Sequence, residues 1–487
     1  MRITVQLTRI AFQFDILEQG ALGILRLIRL WRNRVALINR IPSEILALIP
    51  DFWDGRDRDL VALTHVCRDW REVFISRSSL WTDFDCVGEA RTRVYLERSK
   101  SLPINLSLHM QDSLPPRHPF FETIPHAIGR LKSLSVQTTP ENLEDITLYL
   151  SRPAPLLEKL SIRGGDYRQL LKPALTPTIF DGDLSSLREL KLESVHTELP
   201  WRNMVSLTSL ILRYASPGGA TIKQLLDFFE SAPRLCEVRL NSATPTSGAQ
   251  NGRLVSLACL KRMEVTGRDS ASLLLDHLLI PVGADLKIGV DLPSPPNQGP
   301  PPRFLDNLRN LPSFTDIRLH INGRYTYMQF SGPNGQVRMI PRTSRAGWPN
   351  LVLESLGQFD TSKVERLRVD YYDSRSSDFL YQALLPMIYL RTLELCYCAD
   401  PHIFIHALHP TMSSSGAVVC PKLEEFVVAR DEETLDMESV IGAAAVRASR
   451  GAKLELVRIV GQDQPAWTDV LELEKHVLRV ECCDDID

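Results

Sequence analysis

The sequence predicts an α/β chain in which a small helical N-terminal part precedes a long, irregular solenoid of strand-and-helix repeats. Two observations carry that expectation. Between residues 20 and 86, short apolar stretches at helical spacing are separated by proline and by charge. From residue 131 onward a pattern apolar-x-x-apolar-x-apolar returns eleven times.

Composition sets the frame. The chain has 487 residues, 44% of them hydrophobic, which excludes a disordered polymer and supplies a core. Fifty-six basic against 59 acidic residues leave a net charge of -3, so no global attraction to nucleic acid is expected. Nine cysteines are an odd number, and none stands in a Cys-x-x-Cys pair. Disulfide frameworks and zinc ribbons therefore fit poorly, and reduced thiols in the cytoplasm or nucleus fit better.

Residues 1–36 read as a helical extension leading into the next domain. The stretch 20–41 is apolar but threaded by Arg26, Arg29, Arg32, Arg34 and Arg40. Five arginines break a membrane span, and a signal peptide keeps its charges ahead of its apolar region. An amphipathic membrane helix or a mitochondrial presequence is the competing reading. No membrane partner is assigned.

Residues 37–86 form the first domain. Pro42 and Ser43 open a helix, a favourable place for proline because the first helical N–H has no partner anyway. Ile45, Leu46 and Ile49 give it an apolar face, and Pro50 ends it. The run from Asp54 to Asp59 reads as a solvated connector. Beyond it, Leu60, Leu63, Val66, Cys67 and Trp70 are expected on one side of a single helix, and Leu80 and Trp81 close the unit. About 50 residues is small for an independent core, and such helices often complete themselves against a partner.

These residues resemble the F-box, whose consensus runs Leu-Pro-x-Glu-Ile-Leu, then Val-Cys-(two residues)-Trp, then Leu-Trp. The counterparts are Ile41-Pro42-Ser43-Glu44-Ile45-Leu46, Val66-Cys67-Arg68-Asp69-Trp70 and Leu80-Trp81. The stretch is similar to a large fungal set of F-box proteins containing Ser-Leu-Trp-Thr-Asp-Phe. The resemblance implies docking on the Skp adaptor of Skp–cullin–F-box ubiquitin ligases, and through it on the cullin. Carried over residue by residue, the docking candidates are Ile41, Pro42, Ile45, Leu46, Ile49, Leu60, Leu63, Val66, Cys67, Trp70, Leu80 and Trp81. Some of these belong to the internal core, and Trp70 suits either role. Pro50 stands where the family often has Phe, and the connector after it is slightly long.

Residues 87–487 carry the repeats. The pattern starts at Leu131, Leu157, Leu187, Leu207, Leu235 and Leu260, then at Phe314, Val364, Leu390, Leu423 and Leu454. Separations run from 20 to 33 residues, with two gaps of 54 and 50. The first gap contains a partial strand at Leu286-Lys287-Ile288, the second a hairpin over 324–340 turning at Pro333-Asn334-Gly335. Such a period matches leucine-rich repeats, because one short strand cannot hide its leucines whereas a stack buries a continuous rib. Helical stretches are expected at 221–233, 270–279 and 377–388. The position closing each strand is Asn322 or Cys398 in places but Thr139, Val195, Ala215 and Ala243 elsewhere, so the array is irregular. Loops are expected at 241–252, 291–302 and 411–417.

No phosphate-binding glycine loop and no Gly-x-Ser-x-Gly elbow occurs. His402, His406 and His409 lie near Cys396 and Cys398 but lack a recognised metal spacing, so neither a metal nor any other cofactor is expected. Glu424-Glu425 and Asp431-Glu432-Glu433 read as solvated faces. One column remains. The outward residue between the last two apolar positions is Lys191, Arg239, Arg318, Arg368 or Arg458, interrupted by Ile211, Glu264, Glu394 and Val427. If the repeats stack, these cations form a stripe suited to an acidic or phosphorylated client segment; long solvated side chains covering a strand are the simpler reading. The expectation is a non-enzymatic, substrate-recognising adaptor. A leucine-rich-repeat scaffold with a degenerate F-box is the alternative.

Overall fold

The computed structural model describes residues 2–52, 57–86, 88–109, 119–165, 174–175, 179–197, 204–217, 221–241, 253–266, 274–281, 283–290, 314–322, 325–333, 335–341, 356, 360–370, 378–398, 401–408, 418–429, 435–461 and 464–484. The chain divides into two compact units, Met1–Gln137 and Thr138–Asp487.

In the first unit a long helix, α1 (Arg2–Val35), precedes the short helices of the head described below. Three strands follow: β1 (Asp83–Asp85), β2 (Ile104–His109) and β3 (Leu131–Thr138). They pair in parallel, β1 with β2 and β2 with β3, because the helix Glu89–Arg98 and the turns around Ile128–Arg130 carry the chain back each time. Alternation decides their faces: Ile104, Leu106 and Leu108 are buried while Asn105 and Ser107 are not. Arg130 clamps the end of the helix, donating to Ser99 Oγ at 2.7 Å and to Leu102 O at 2.8 Å.

The second unit is built around one sheet. Its strands are β4 (Lys159–Gly164), β5 (Glu189–Glu193), β6 (Ser209–Arg213), β7 (Glu237–Asn241), β8 (Arg262–Thr266), β9 (Asp285–Val290), β10 (Asp316–Asn322), β11 (Tyr325–Gly332), β12 (Gly335–Pro341), β13 (Arg366–Asp370), β14 (Thr392–Cys396), β15 (Glu425–Ala429), β16 (Leu456–Val460) and β17 (Arg479–Cys483). Each start of the sequence pattern precedes or coincides with a strand, from Leu131 at β3 to Leu454 at β16. Consecutive strands pair in parallel from β4 to β9 and from β13 to β17.

The local corner repeats as well as the strand. Leu187, Leu207, Leu235, Leu390 and Leu423 each close a tight turn by donating their N–H to the carbonyl three residues back. At the far end of β5, β6 and β14 the next residue is Ser194, Tyr214 or Tyr397, with φ of 56°, 50° and 57°. A non-glycine side chain is rarely held in that left-handed region. Each of these residues is fixed by donating its N–H across to the neighbouring strand end, at Arg213 O, Asn241 O and Ala429 O. The residue just beyond, Val195 or Ala215, is fully buried, and Cys398 nearly so. Small size is the requirement there, which explains why Val, Ala and Cys alternate.

One stretch departs from the parallel rule. β9 pairs not with β10 but with β12, and β11 runs antiparallel between β12 and β10; β10 then resumes parallel pairing with β13. The predicted hairpin is thus a member of the sheet. Gly335, at φ 119°, opens β12, where an added Cβ would lie 3.1 Å from Ala284 O and 3.2 Å from Gly283 C. Only glycine brings the two backbones that close.

Helices alternate with several of the strands along the chain. Thr221 and Gln224 form a reciprocal capping box at the start of Ile222–Ser231, which buries Leu225, Leu226, Phe228 and Phe229. The stretch at 377–388 contributes the helix Asp378–Leu384. The helix expected at 270–279 lies partly outside the described residues, and its last two positions are extended: Leu278 and Leu279 pair with Val255 and Ser256. Leucine-rich runs of that length satisfy helix and strand patterns equally well. The loops at 291–302 and 411–417, and all but Asn241 of 241–252, lie outside the described residues.

Candidate functional site

The head begins as expected. Pro42 precedes the helix Ser43–Leu48, and its carbonyl accepts the N–H of Leu46 at 2.9 Å. The turn continues as a tighter helix through Ile49–Phe52, so Pro50 does not stop it. Pro50 sits near the start of that new turn, where its missing N–H costs nothing. Residues 53–56 of the connector lie outside the described residues, and helix has already resumed at Asp57.

The single helix expected over 60–70 is two helices, Asp57–Leu63 and Arg68–Ser76. The break is hydrogen-bonded. Thr64 Oγ1 returns to Val61 O at 2.8 Å, Arg71 Nε caps Thr64 O at 2.9 Å, and Cys67 is extended with φ -157°. The consequence falls on Val66, which the break turns outward instead of onto the shared face.

Burial sorts the twelve candidates into three groups. Leu46, Leu63 and Trp70 are buried and, with Phe74, form the closed core of the head; Trp70 and Phe74 meet edge to face at 5.7 Å. Ile41, Ile49, Leu60, Cys67 and Leu80 are half-buried against that core. Trp81 is fully buried: it donates Nε1–H to Phe74 O at 2.9 Å, packs on Tyr95 at 4.9 Å and lies under the Arg98 guanidinium at 4.3 Å. Pro42, Ile45 and Val66 face outward, with Ile45 at 53% and Val66 at 51% exposure. The sequence reading missed two outward neighbours, Leu48 at 43% and Phe52 at 86%. Their signal is the spacing Ile45, Leu48, Phe52, one stripe of a helix.

These uncovered apolar side chains lie outside the closed core of the head. Residues 38–87 match the F-box-like family model. No curated protein matches the chain. The F-box-like domain accordingly holds Leu46, Leu63, Trp70 and Trp81 as framework and presents Pro42, Ile45, Leu48, Phe52 and Val66 outward.

Away from the F-box-like domain, all five column residues fall on one row of the second unit's sheet. Strand pairing aligns Lys191, Ile211, Arg239, Glu264, Lys287, Arg338, Gln329, Arg318, Arg368, Glu394, Val427, Arg458 and Glu481 in succession. Gln329 and Arg338 were missed because the hairpin's place in the sheet depends on pairing that is distant in sequence, and Lys287 because the pattern around it is only partial. The cations are not bare. Arg318 Nε and Arg368 Nε grip the two oxygens of buried Asp370 at 2.6 and 2.9 Å, and Arg458 Nε meets Glu481 at 2.8 Å. Arg239 Nε bonds Glu237 at 2.8 Å, and Lys191 approaches Glu193 at 3.9 Å.

Beside this row a hollow of about 760 Å³ is lined by Arg318, Arg366, Arg368 and Arg458 with Asp316, Gln329 and Glu394. Arg366 is its loosest cation, 3.9 Å from both Asp316 and Glu394. Asp370 is 2% exposed, so the charge facing solvent there is weighted towards the guanidiniums.

Among the described residues no three His, Cys, Asp or Glu side chains are grouped to hold a metal. His402 and His406 lie on the helix His402–Ala407; His409 lies outside the described residues. Glu424 pairs with Arg391 at 2.9 Å and Glu425 accepts from Thr392 at 3.3 Å, while residues 431–433 lie outside the described residues.

All nine cysteines are unbridged. Burial pushes the Cys86 thiol up to about 11, and those of Cys396 and Cys420 up to about 12, from an ordinary 9.0. An unfolded chain releases these protons first. The stabilisation is therefore complete below pH 9 and is lost as pH rises from 9 towards 12. Two results are expected: thermal stability that falls through this alkaline window, and native-state alkylation at pH 8 that reaches exposed Cys259 while sparing the three buried thiols. Peptide mapping of the alkylated protein checks the second.

Proposed function

We propose that this chain is a non-catalytic substrate-recognition adaptor of a Skp–cullin–F-box ubiquitin ligase, acting in the cytoplasm or nucleus. The observation that carries the reading is the outward apolar stripe Ile45, Leu48 and Phe52, with Pro42 and Val66 also exposed, on an F-box-like domain whose own core is already closed. That stripe docks on the Skp adaptor, and the cullin is reached through it. The second unit acts as an irregular leucine-rich-repeat solenoid that holds clients, a reading supported by its serial parallel strands and recurring left-handed corners. Its contribution to ubiquitin transfer is proximity: a client lysine is held near the charged conjugating enzyme, which converts an encounter between molecules into one within a complex.

The test is a binding measurement between the full chain and the Skp adaptor. A dissociation constant of about 1 μM or tighter supports docking, and no binding at about 100 μM leaves the chain a scaffold with a degenerate F-box. Clients are expected at the arginine-lined hollow. Changing Arg366 and Arg458 to Gln removes two of its cations without touching the Asp370 clamp. Clients captured by the unmodified chain should be lost from this variant in a quantitative pull-down, with the Skp adaptor retained.

A further inference from the structure

We infer that helix α1 is a self-association element: two copies of this chain join through an antiparallel coiled coil of their α1 helices. The helix stands in water with apolar side chains uncovered, among them Trp31 at 70%, Leu17 at 68% and Ile24 at 61% exposure. A solvated helix carrying Gly20 and Gly23 near its middle has poor intrinsic stability, and helices of this kind are held by packing of an apolar face.

The spacing of that face says what packs on it. Leu17, Ala21, Ile24, Ile28, Trp31 and Val35 follow one another at alternating intervals of four and three residues. The same alternation runs back through Phe14, Ile10, Leu7 and Ile3 without a polar residue at any step. An unbroken seam repeating every 3.5 residues is the requirement of knobs-into-holes packing against another helix. A lipid surface asks only for a broad apolar face with charges opposite. With its flanking positions the seam offers about twenty residues a side, the extent of a stable protein interface.

Layer sizes and charge favour a second copy running the opposite way. Antiparallel alignment sets Ile24 against Phe14 of the second copy and Ala21 against its Leu17, so bulky side chains meet smaller ones at successive layers. Parallel alignment would stack tryptophan on tryptophan and leave alanine facing alanine, overfilling one layer and emptying another. Arg26, Arg29, Arg32 and Arg34 all lie outside the seam and towards its C-terminal end. Parallel helices would crowd two such sets within a Debye length of about 8 Å. Antiparallel ones hold them about 30 Å apart and bring them instead beside the end that carries Arg2 and Arg9, four cations against two rather than four against four.

Sedimentation equilibrium of the full chain at micromolar concentration is expected to give twice the single-chain mass. Changing Ile24 and Ile28 to Glu should weaken self-association at least 100-fold and return the single-chain mass. Changing Leu22 and Leu30 to Glu, exposed apolar residues outside the seam, should leave the dimer intact. A single-chain mass for the unmodified protein, or equal effects of the two double variants, overturns the proposal. So does a monomer that co-sediments with phosphatidylcholine–phosphatidylserine vesicles, which assigns the helix to a membrane. Cysteine cross-linking read by mass spectrometry sets the direction. Ile24→Cys chains should link to Phe14→Cys chains and not to one another, and the reverse pattern overturns the antiparallel arrangement.

Discussion

Changing Ile45 and Val66 together to Asp is expected to abolish binding of the Skp adaptor while leaving the melting temperature of the chain within a degree or two of the unmodified protein. Both side chains are about half exposed on the F-box-like domain, so neither supports its core. An apolar anchor at the centre of an interface loses on the order of 2 kcal/mol or more when truncated, and a carboxylate forced into the same desolvated place adds to that. Two such positions predict a loss of at least 100-fold, equivalent to about 2.8 kcal/mol. Leu46 provides the contrast. It is adjacent in sequence but 5% exposed in the core with Trp70 and Phe74. Leu46→Ala should cost about 2–5 kcal/mol of stability and should weaken binding only in proportion to the fraction unfolded. Isothermal titration with each purified variant, beside its thermal melt, separates the two effects. Equal binding by the Ile45, Val66 double variant would remove the stripe as the docking face.

Trp81→Ala should be the most destabilising single change in the first unit, about 4 kcal/mol in urea unfolding followed by far-ultraviolet circular dichroism. The cavity alone accounts for about 3–5 kcal/mol. In addition, Phe74 O loses the indole N–H at 2.9 Å, and the ring leaves Tyr95 and the Arg98 guanidinium without their partner. Trp81→Phe keeps most of the ring volume and gives up the hydrogen bond, for which about 1 kcal/mol is expected. A large loss in the first variant with a small loss in the second identifies packing as the dominant contribution. Because Trp81 is wholly buried, neither variant should touch the adaptor directly.

How far these features were legible beforehand depended on how local their causes are. Strands from Leu131 to Leu454 could be read because a half-buried strand writes its alternation into a few adjacent residues. The alignment of Lys191 with Arg458 followed from the same regularity. The place of β11 and β12 was not readable, since pairing β9 with β12 joins residues some fifty positions apart that no local pattern links. Nor did spacing show the break at Thr64–Val66. Leu60, Leu63, Cys67 and Trp70 suit one continuous helix, and only the hydrogen bonds of Thr64 and Arg71 reveal two. Ile45 and Leu46 have nearly the same chemistry, so which one faced outward had to await the packing around Phe74.

The reversed strand β11 has a bearing on how this molecule could change length over evolutionary time. A stretch made of like units, each leaning only on its neighbours, can be lengthened by copying a unit or shortened by dropping one, and the ends still fit. The segment from β9 to β13 offers no such freedom. Copying or dropping β11 alone would present a neighbour with the wrong direction, so β10, β11 and β12 must be kept together and changes in length fall on the parallel strands to either side.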